Sequence, residues 1–255
     1  MIINGDDFGY SSSVNRAILQ AFDEGLISSA TLMANMPGFE EACAFVHERN
    51  LFGHVGAHLV LSEGEPLTDR MRRCRRFCDV SGRFCGFDRR AFWLSTLERH
   101  TVSAELRAQI DRCRREGLPL THVDSHNHVH NDPAIGPIVN TLARELRVPY
   151  VRLARNCGAG ISFPRRVYKA YFNKRLERAG LARTGYFGDV DDYLYLQRHR
   201  VPLAELGDIE VMTHPIFDDQ GGLVDGLATD VFLRELVAKL DGQSSAVSYA
   251  GVRYA

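Results

Sequence analysis

The chain has 255 residues, 45% of them hydrophobic and 25% charged, with a formal net charge of −1. That length can bury a sizeable core, and so even a charge balance offers no electrostatic footprint for nucleic acid. No stretch reaches the roughly 18 apolar residues that a membrane-spanning helix needs.

In chain order, Ile2–Asn4 reads as a short strand that runs into two adjacent aspartates, Asp6 and Asp7. Ser11–Ser13 offer capping hydroxyls to a helix with Val14, Ala17, Ile18, Ala21 and Phe22 on one face, stopped by Gly25. Ile27–Ala34 is a second strand, Pro37 opens a helix to about His47, and the run His54–Leu61 is a third strand. Residues 63–100 break the rhythm: the segment is basic, lacks a clean period and carries the single tryptophan, Trp93. It reads as an excursion from the core, either a cover over a site or a solvated basic loop.

The rhythm resumes with a helix capped by Ser103, with Leu106, Ile110 and Cys113 on one face and Gly117 at its end. A strand over 119–126, a helix over 133–146 and a strand over 149–155 follow. A basic amphipathic helix over 163–180, a strand over 209–216, a helix over 228–240 and a last strand over 245–252 complete the chain. Strands alternating with helices imply parallel βαβ units. About seven units in this length favour an α/β fold closed into a (β/α) barrel over an open doubly wound sheet. No Pro- or Gly-rich linker divides the chain, so one domain is expected over 1–255, with a variable excursion at about 63–100. Neither glycine-rich phosphate motif occurs.

The chain starts straight into a strand, without basic and apolar leader regions. Its six scattered cysteines read as reduced thiols, which together with that start predict a cytoplasmic protein. Cys74, Cys78 and Cys85 are spaced by three and six residues with no fourth ligand nearby, a poor match to structural zinc. Nothing in the residues decides between a monomer and a homodimer.

In parallel α/β folds the chemistry sits at the C-terminal ends of the strands. Four strands deliver carboxylates and imidazoles there: Asp6 and Asp7, then His58, then the run His122–His130, and finally His214. An Asp/His/His set is a recurrent shell for a catalytic divalent metal with open positions; zinc, cobalt, nickel or manganese suit imidazole, magnesium suits carboxylate. A cation would also make two adjacent aspartates tolerable, and the second of them can take a proton from water. His214, arriving from the far side, can protonate a leaving group. His122 and His130 read as structural or solvated rather than liganding.

The stretches INGDDFGYSSSVNRAI, GLISSATLMAN, GAHLVLSEGEPL, THVDSHNHVH, VRLAR and the closing THP together resemble the YdjC/ChbG family of carbohydrate deacetylases. The resemblance implies a distorted (β/α) barrel of about seven parallel strands. It implies removal of acetyl from an N-acetylated mono- or oligosaccharide, such as a chitooligosaccharide or an N-acetylglucosamine derivative, with one divalent metal ion (magnesium or zinc, with manganese or cobalt as further options). On that footing Asp7, His58 and His126 are the metal ligands, Asp6 the base and His214 the acid. Arg152 holds Asp6 or the sugar, or makes an ordinary surface salt bridge, and Phe8, Trp93 and His128 are candidates for substrate contact. Asn127 stands where the family often has histidine. No nucleic acid or membrane is expected as partner. The alternatives are another metal-dependent hydrolase on the same barrel, an amidohydrolase or phosphoesterase, or an inactive sugar-binding protein. A two-metal phosphoesterase normally needs more bridging carboxylates than Asp6 and Asp7, and an inactive binder would have lost one of the five site residues.

Overall fold

The computed structural model describes residues 1–87, 93–157, 161–181, 184–199, 208–240 and 247–251. Its centre is a seven-stranded sheet in the order β5-β4-β3-β2-β1-β7-β6. The strands are β1 (Ile2–Phe8), β2 (Ser29–Leu32), β3 (Val55–Leu59), β4 (His122–Ser125), β5 (Tyr150–Val151), β6 (Tyr186–Gly188) and β7 (Ile209–Thr213), all paired in parallel. Every residue of β2 and β3 is buried, as expected of parallel strands covered on both faces.

The two edge strands meet through the segment after β5. The Asn156 amide donates to the Phe187 carbonyl (3.2 Å), and the Asn156 side-chain oxygen accepts from the Phe187 amide (2.9 Å). This seam, one backbone and one side-chain hydrogen bond in place of a ladder, draws the edges of the curled sheet together as a distorted barrel.

Helices α1 (Ser12–Asp23), α2 (Phe39–Glu48), α4 (Thr96–Arg115), α5 (Gly136–Glu145), α6 (Phe163–Arg178) and α7 (Val190–Arg198) connect the strands. Ser11 caps α1, its hydroxyl accepting from the Val14 amide at 3.3 Å. Ala17, Ile18 and Ala21 of that helix are fully buried. Burying a large apolar side chain contributes roughly 1.5–3 kcal/mol, so helical faces of this kind decide which side of each helix meets the sheet.

Three elements differ from the sequence reading. Helix α4 begins at Thr96 rather than at Ser103, because Ser95 and Glu98 form a reciprocal capping box inside the aperiodic segment. Residues Ala228–Phe232 are a strand, β10, not the start of a helix; they pair antiparallel with β9 (Leu223–Asp225), which pairs with β8 (Pro215–Phe217). Only α8 (Leu233–Ala238) is helical there. The C-terminal strand expected over 245–252 lies partly outside the described residues. In the described part Tyr249–Gly251 form a 3-10 turn, and β6, a three-residue strand too short to show a period, supplies the seventh strand instead.

Tyr249 closes the lower end of the barrel. It is 1% exposed, stacks on His122 with ring centroids 3.7 Å apart, and meets Tyr150 edge-on. The Val247 amide donates to the Met1 carbonyl, fastening this tail to the start of β1.

The segment after β3 is packed rather than solvated. The buried Glu105 of α4 accepts from the Leu67 and Thr68 amides and the Thr68 hydroxyl at 2.8–2.9 Å. Met71 of the short helix α3 (Asp69–Arg72) and Phe77, Phe84 and Leu94 join the main core. Residues 88–92 of the expected excursion lie outside the described residues.

Gly56 in β3 marks the tightest packing of the barrel floor: a Cβ there would sit 2.5 Å from the His122 ring and 2.7 Å from its backbone oxygen. Gly56→Ala therefore lowers stability by about 1–3 kcal/mol, measured as a drop in the urea midpoint; an unchanged midpoint would show that the floor can relax.

Candidate metal centre and active site

Asp6 and Asp7 should face opposite sides of a regular strand, since side chains alternate. They do not, because β1 carries a bulge. Gly5 pairs with Ala30 but Phe8 with Leu32, so three steps on β1 match two on β2, and Asp7 adopts a left-handed φ of 69°. The bulge re-aims both carboxylates toward the upper mouth of the barrel. A similar device follows β4, where Asn127 and His128 both take φ of 53° just past His126.

Asp7 is the point of convergence. Its Oδ1 lies 3.2 Å from His58 Nε2 and 2.8 Å from His126 Nδ1. Donor atoms of Asp7, His58 and His126 all lie within 4.8 Å of one another. The far nitrogen of His58, Nδ1, is 2.7 Å from Asp124 Oδ1, and the Thr31 hydroxyl donates to Asp124 Oδ2 at 3.1 Å. Burial would depress the His58 pKa, but the Asp124 carboxylate reverses this and raises it to about 10. Burial would likewise raise Asp7; its hydrogen bonds to His126 and His58 hold it far below the usual carboxylate range.

Two nitrogens and one oxygen, with a carboxylate fixing the tautomer of His58 from behind, form a donor set that fits a divalent cation. A second convergent set, Asp6, His58 and Asp124, does not fit one, because Arg152 already occupies both of its carboxylates.

Asp6 is anchored separately. Arg152 grips it with two bonds of 2.7 Å, and Asn4 Nδ2 donates to its Oδ1 at 2.8 Å. Burial works to raise Asp6, but the guanidinium outweighs it and keeps the carboxyl ionised. His214 Nε2 stands 3.9 Å from Asp6 Oδ2. The His214 backbone amide donates to Asp225 Oδ2 at 2.9 Å, which fixes the residue at the junction of β7 and β8. An open cleft of about 330 Å³ runs over Asp6, Asp7, Tyr10, Glu63, His126 and His214, at the small end of the range for ligand sites.

The structure thus brings Asp6, Asp7, His58, His126 and His214 to one place. Of the four residues considered for substrate contact, Arg152 takes its other expected place, on Asp6. Phe8 is wholly buried in the main core. Arg152 is also buried, its guanidinium committed to Asp6, to Asp124 (2.6 Å) and to Glu210 (2.5 Å). His128 packs edge-on to Phe187 and His130, and burial followed by the charge of Arg152 pushes it down to about 3. Trp93 is 70% exposed, with Arg76 over its ring. His122 and His130 are both fully buried, not solvated.

Sequence reasoning missed Asn4, Thr31, Glu63 and Glu210. Glu210 alone left a local trace, as a charge inside an apolar strand pattern.

Comparison with known proteins agrees across nearly the whole chain. The model of the family described as YdjC-like protein matches residues 1–243. A protein of Brevibacillus brevis named carbohydrate deacetylase is 39% identical over 227 residues, covering 88% of this chain and 84% of its own. A carbohydrate deacetylase of Vibrio parahaemolyticus is 32% identical over 222 residues, covering 86% and 79%. A crystal structure from Enterococcus faecalis V583, of a proposed cellobiose-phosphate cleavage protein, superposes with a TM-score of 0.68 at 22% identity, covering 97% and 96% of the two chains. That last likeness is one of fold.

The Glu210 carboxyl gives the site a pH signature. Burial raises it from 4.5 to about 7 despite the bond from Arg152. A carboxyl that binds its proton more tightly when folded contributes stability fully below about pH 4.5, and that contribution is lost as pH rises through about 7. The difference is worth about 3 kcal/mol. Between pH 5 and 8 the metal-free protein should lose about that much more stability than Glu210→Gln, measured by urea unfolding. A wild-type-minus-variant difference that is flat in pH would show Glu210 to be charged throughout.

Proposed function

This chain belongs to the YdjC-like family, and on that footing we propose that it is a metal-dependent carbohydrate deacetylase acting on an N-acetylated mono- or oligosaccharide. The observation that carries the reading is the convergence of Asp7, His58 and His126 beneath a cleft whose wall holds Asp6 and His214. The names of the relatives agree with it.

Asp7, His58 and His126 would hold one divalent cation, zinc, manganese or cobalt suiting two imidazoles best and magnesium less well. Bound there, the ion supplies Lewis acidity and acidifies water. The chain's own residues do the rest. Asp6, kept charged and fixed in plane by Arg152, takes a proton from the attacking water. As the new C–O bond forms and the C–N bond breaks, His214 delivers a proton to the departing amine. The 3.9 Å between His214 and Asp6 leaves proton donor and acceptor close together in one cleft. Acetate and a free amino sugar leave.

The second acidic set is closed by Arg152, so among the described residues one cation site serves the reaction. This favours single-metal amide hydrolysis over a two-metal phosphoesterase. No helix among the described residues is long and apolar enough to cross a membrane. The six cysteines are free thiols, which supports a cytoplasmic enzyme working on a soluble sugar, the whole chain acting as one catalytic domain.

The test is acetate release from a panel of N-acetylated mono- and oligosaccharides, using chelator-stripped protein with zinc, magnesium, manganese or cobalt restored singly. Activity should depend on the metal, and Asp6→Asn and His214→Ala should each lose about 100-fold or more in kcat. A tightly bound metal with no acetate from any substrate would refute the deacetylase reading. Full activity in Asp6→Asn would refute the role given to Asp6.

A further inference from the structure

We propose that Glu63 is the outer carboxylate of the metal centre: it orients His126 through the ring nitrogen turned away from Asp7, and so ties metal binding to the segment that walls the cleft. The inference rests on the metal-site reading above but not on the reaction assigned to it.

The two histidines are built alike. His58 presents Nε2 to Asp7 and Nδ1 to Asp124, at 3.2 and 2.7 Å. His126 presents Nδ1 to Asp7 at 2.8 Å, and its Nε2 lies 2.5 Å from Glu63 Oε1. Each ring spans Asp7 on the inside and a second carboxylate on the outside. An imidazole that lends one nitrogen to a cation keeps its proton on the other. A carboxylate accepting that proton fixes the tautomer, sets the ring's rotation and strengthens the inner nitrogen as a donor. Asp124 does this for His58 from a wholly buried position, and Glu63 does it for His126 from the cleft, with its side chain 35% exposed.

Glu63 is held for this task. Its carbonyl accepts from Asn35 Nδ2 at 3.0 Å, and the Ser62 hydroxyl beside it accepts from Asn127, the residue after His126. The carbonyl of Gly64 accepts from the Phe84 amide at 3.1 Å. Gly64 itself has φ of 76°, and a Cβ there would meet Met36 Sδ at 2.6 Å, so the backbone beside Glu63 packs in a turn that only glycine fits. Glu65, two residues on, pairs with Arg72 and Arg83. The segment that leaves the barrel after β3 is therefore clamped to the candidate metal centre near its start.

Calorimetric titration of the stripped full-length protein with zinc tests this, comparing wild type, Glu63→Ala, Glu63→Gln and Glu63→Met, with acetate release measured at saturating zinc. Glu63→Ala should weaken zinc binding about 10-fold or more. Glu63→Gln should recover most of the loss, since its amide oxygen still accepts from Nε2–H, whereas Glu63→Met, of similar length but without that acceptor, should not; equal recovery by both would show a purely steric role and overturn the proposal. Unchanged zinc affinity in Glu63→Ala, with only KM raised, would overturn the proposal and make Glu63 a substrate contact. Glu63-dependent zinc binding without acetate release would sink the deacetylase reading and leave this inference standing.

Discussion

One buried guanidinium sets the terms for everything above it. Arg152 is enclosed in the barrel with Asp6, Asp124 and Glu210 bonded to it and the Phe187 ring 4.8 Å below its central carbon. Three carboxylates around one cation are not balanced, and the environment resolves the excess by geometry. Asp6 and Asp124 lie at the upper side, where the imidazoles of His58 and His214 stand close by. Glu210 lies lower, beside the buried Tyr249 hydroxyl, and burial raises its proton affinity. Removing one partner from such a network leaves an uncompensated charge worth about 3–5 kcal/mol, so the arrangement is held as a unit.

The same unit explains why two neighbouring aspartates coexist. Asp6 answers to Arg152 and Asp7 to the two histidines, and the bulge in β1 separates their duties while leaving both at the mouth. Asp124 joins the halves, since its Oδ2 meets Arg152 and its Oδ1 meets His58. The proposed base and the proposed metal ligands thus share one scaffold, and a shift of Arg152 would disturb both. This is the preorganisation that electrostatic catalysis requires: charges fixed before the substrate arrives need no reorganisation afterwards.

Around that scaffold the remaining chain works as supports. Tyr249 and the tail that carries it seal the floor beneath Glu210. The segment after β3, anchored on the buried Glu105, brings Glu63 to the cleft and covers apolar surface with Met71 and Phe77. The β8–β10 sheet fixes His214 through Asp225. Each support meets the site at a named residue, so the side chains of the site are held from several directions at once.

The sequence by itself determined the parallel α/β class and the strand ends at which Asp6, Asp7, His58, His126 and His214 would stand. Those features are local: an apolar run, its period, and a polar residue at its end can be read within ten residues. Only the tertiary structure decided which groups touch. Arg152 meets Glu210 58 positions away and Asp6 146 away, and His126 reaches Asp7 across 119. Such pairings leave no pattern in the neighbouring residues, which is why Arg152 read equally as a substrate contact and Glu63 as part of a loop. Short elements escaped for a related reason. A three-residue strand such as β6 or a capping box inside an aperiodic run carries too few residues to show a period, and the contacts around it specify it instead.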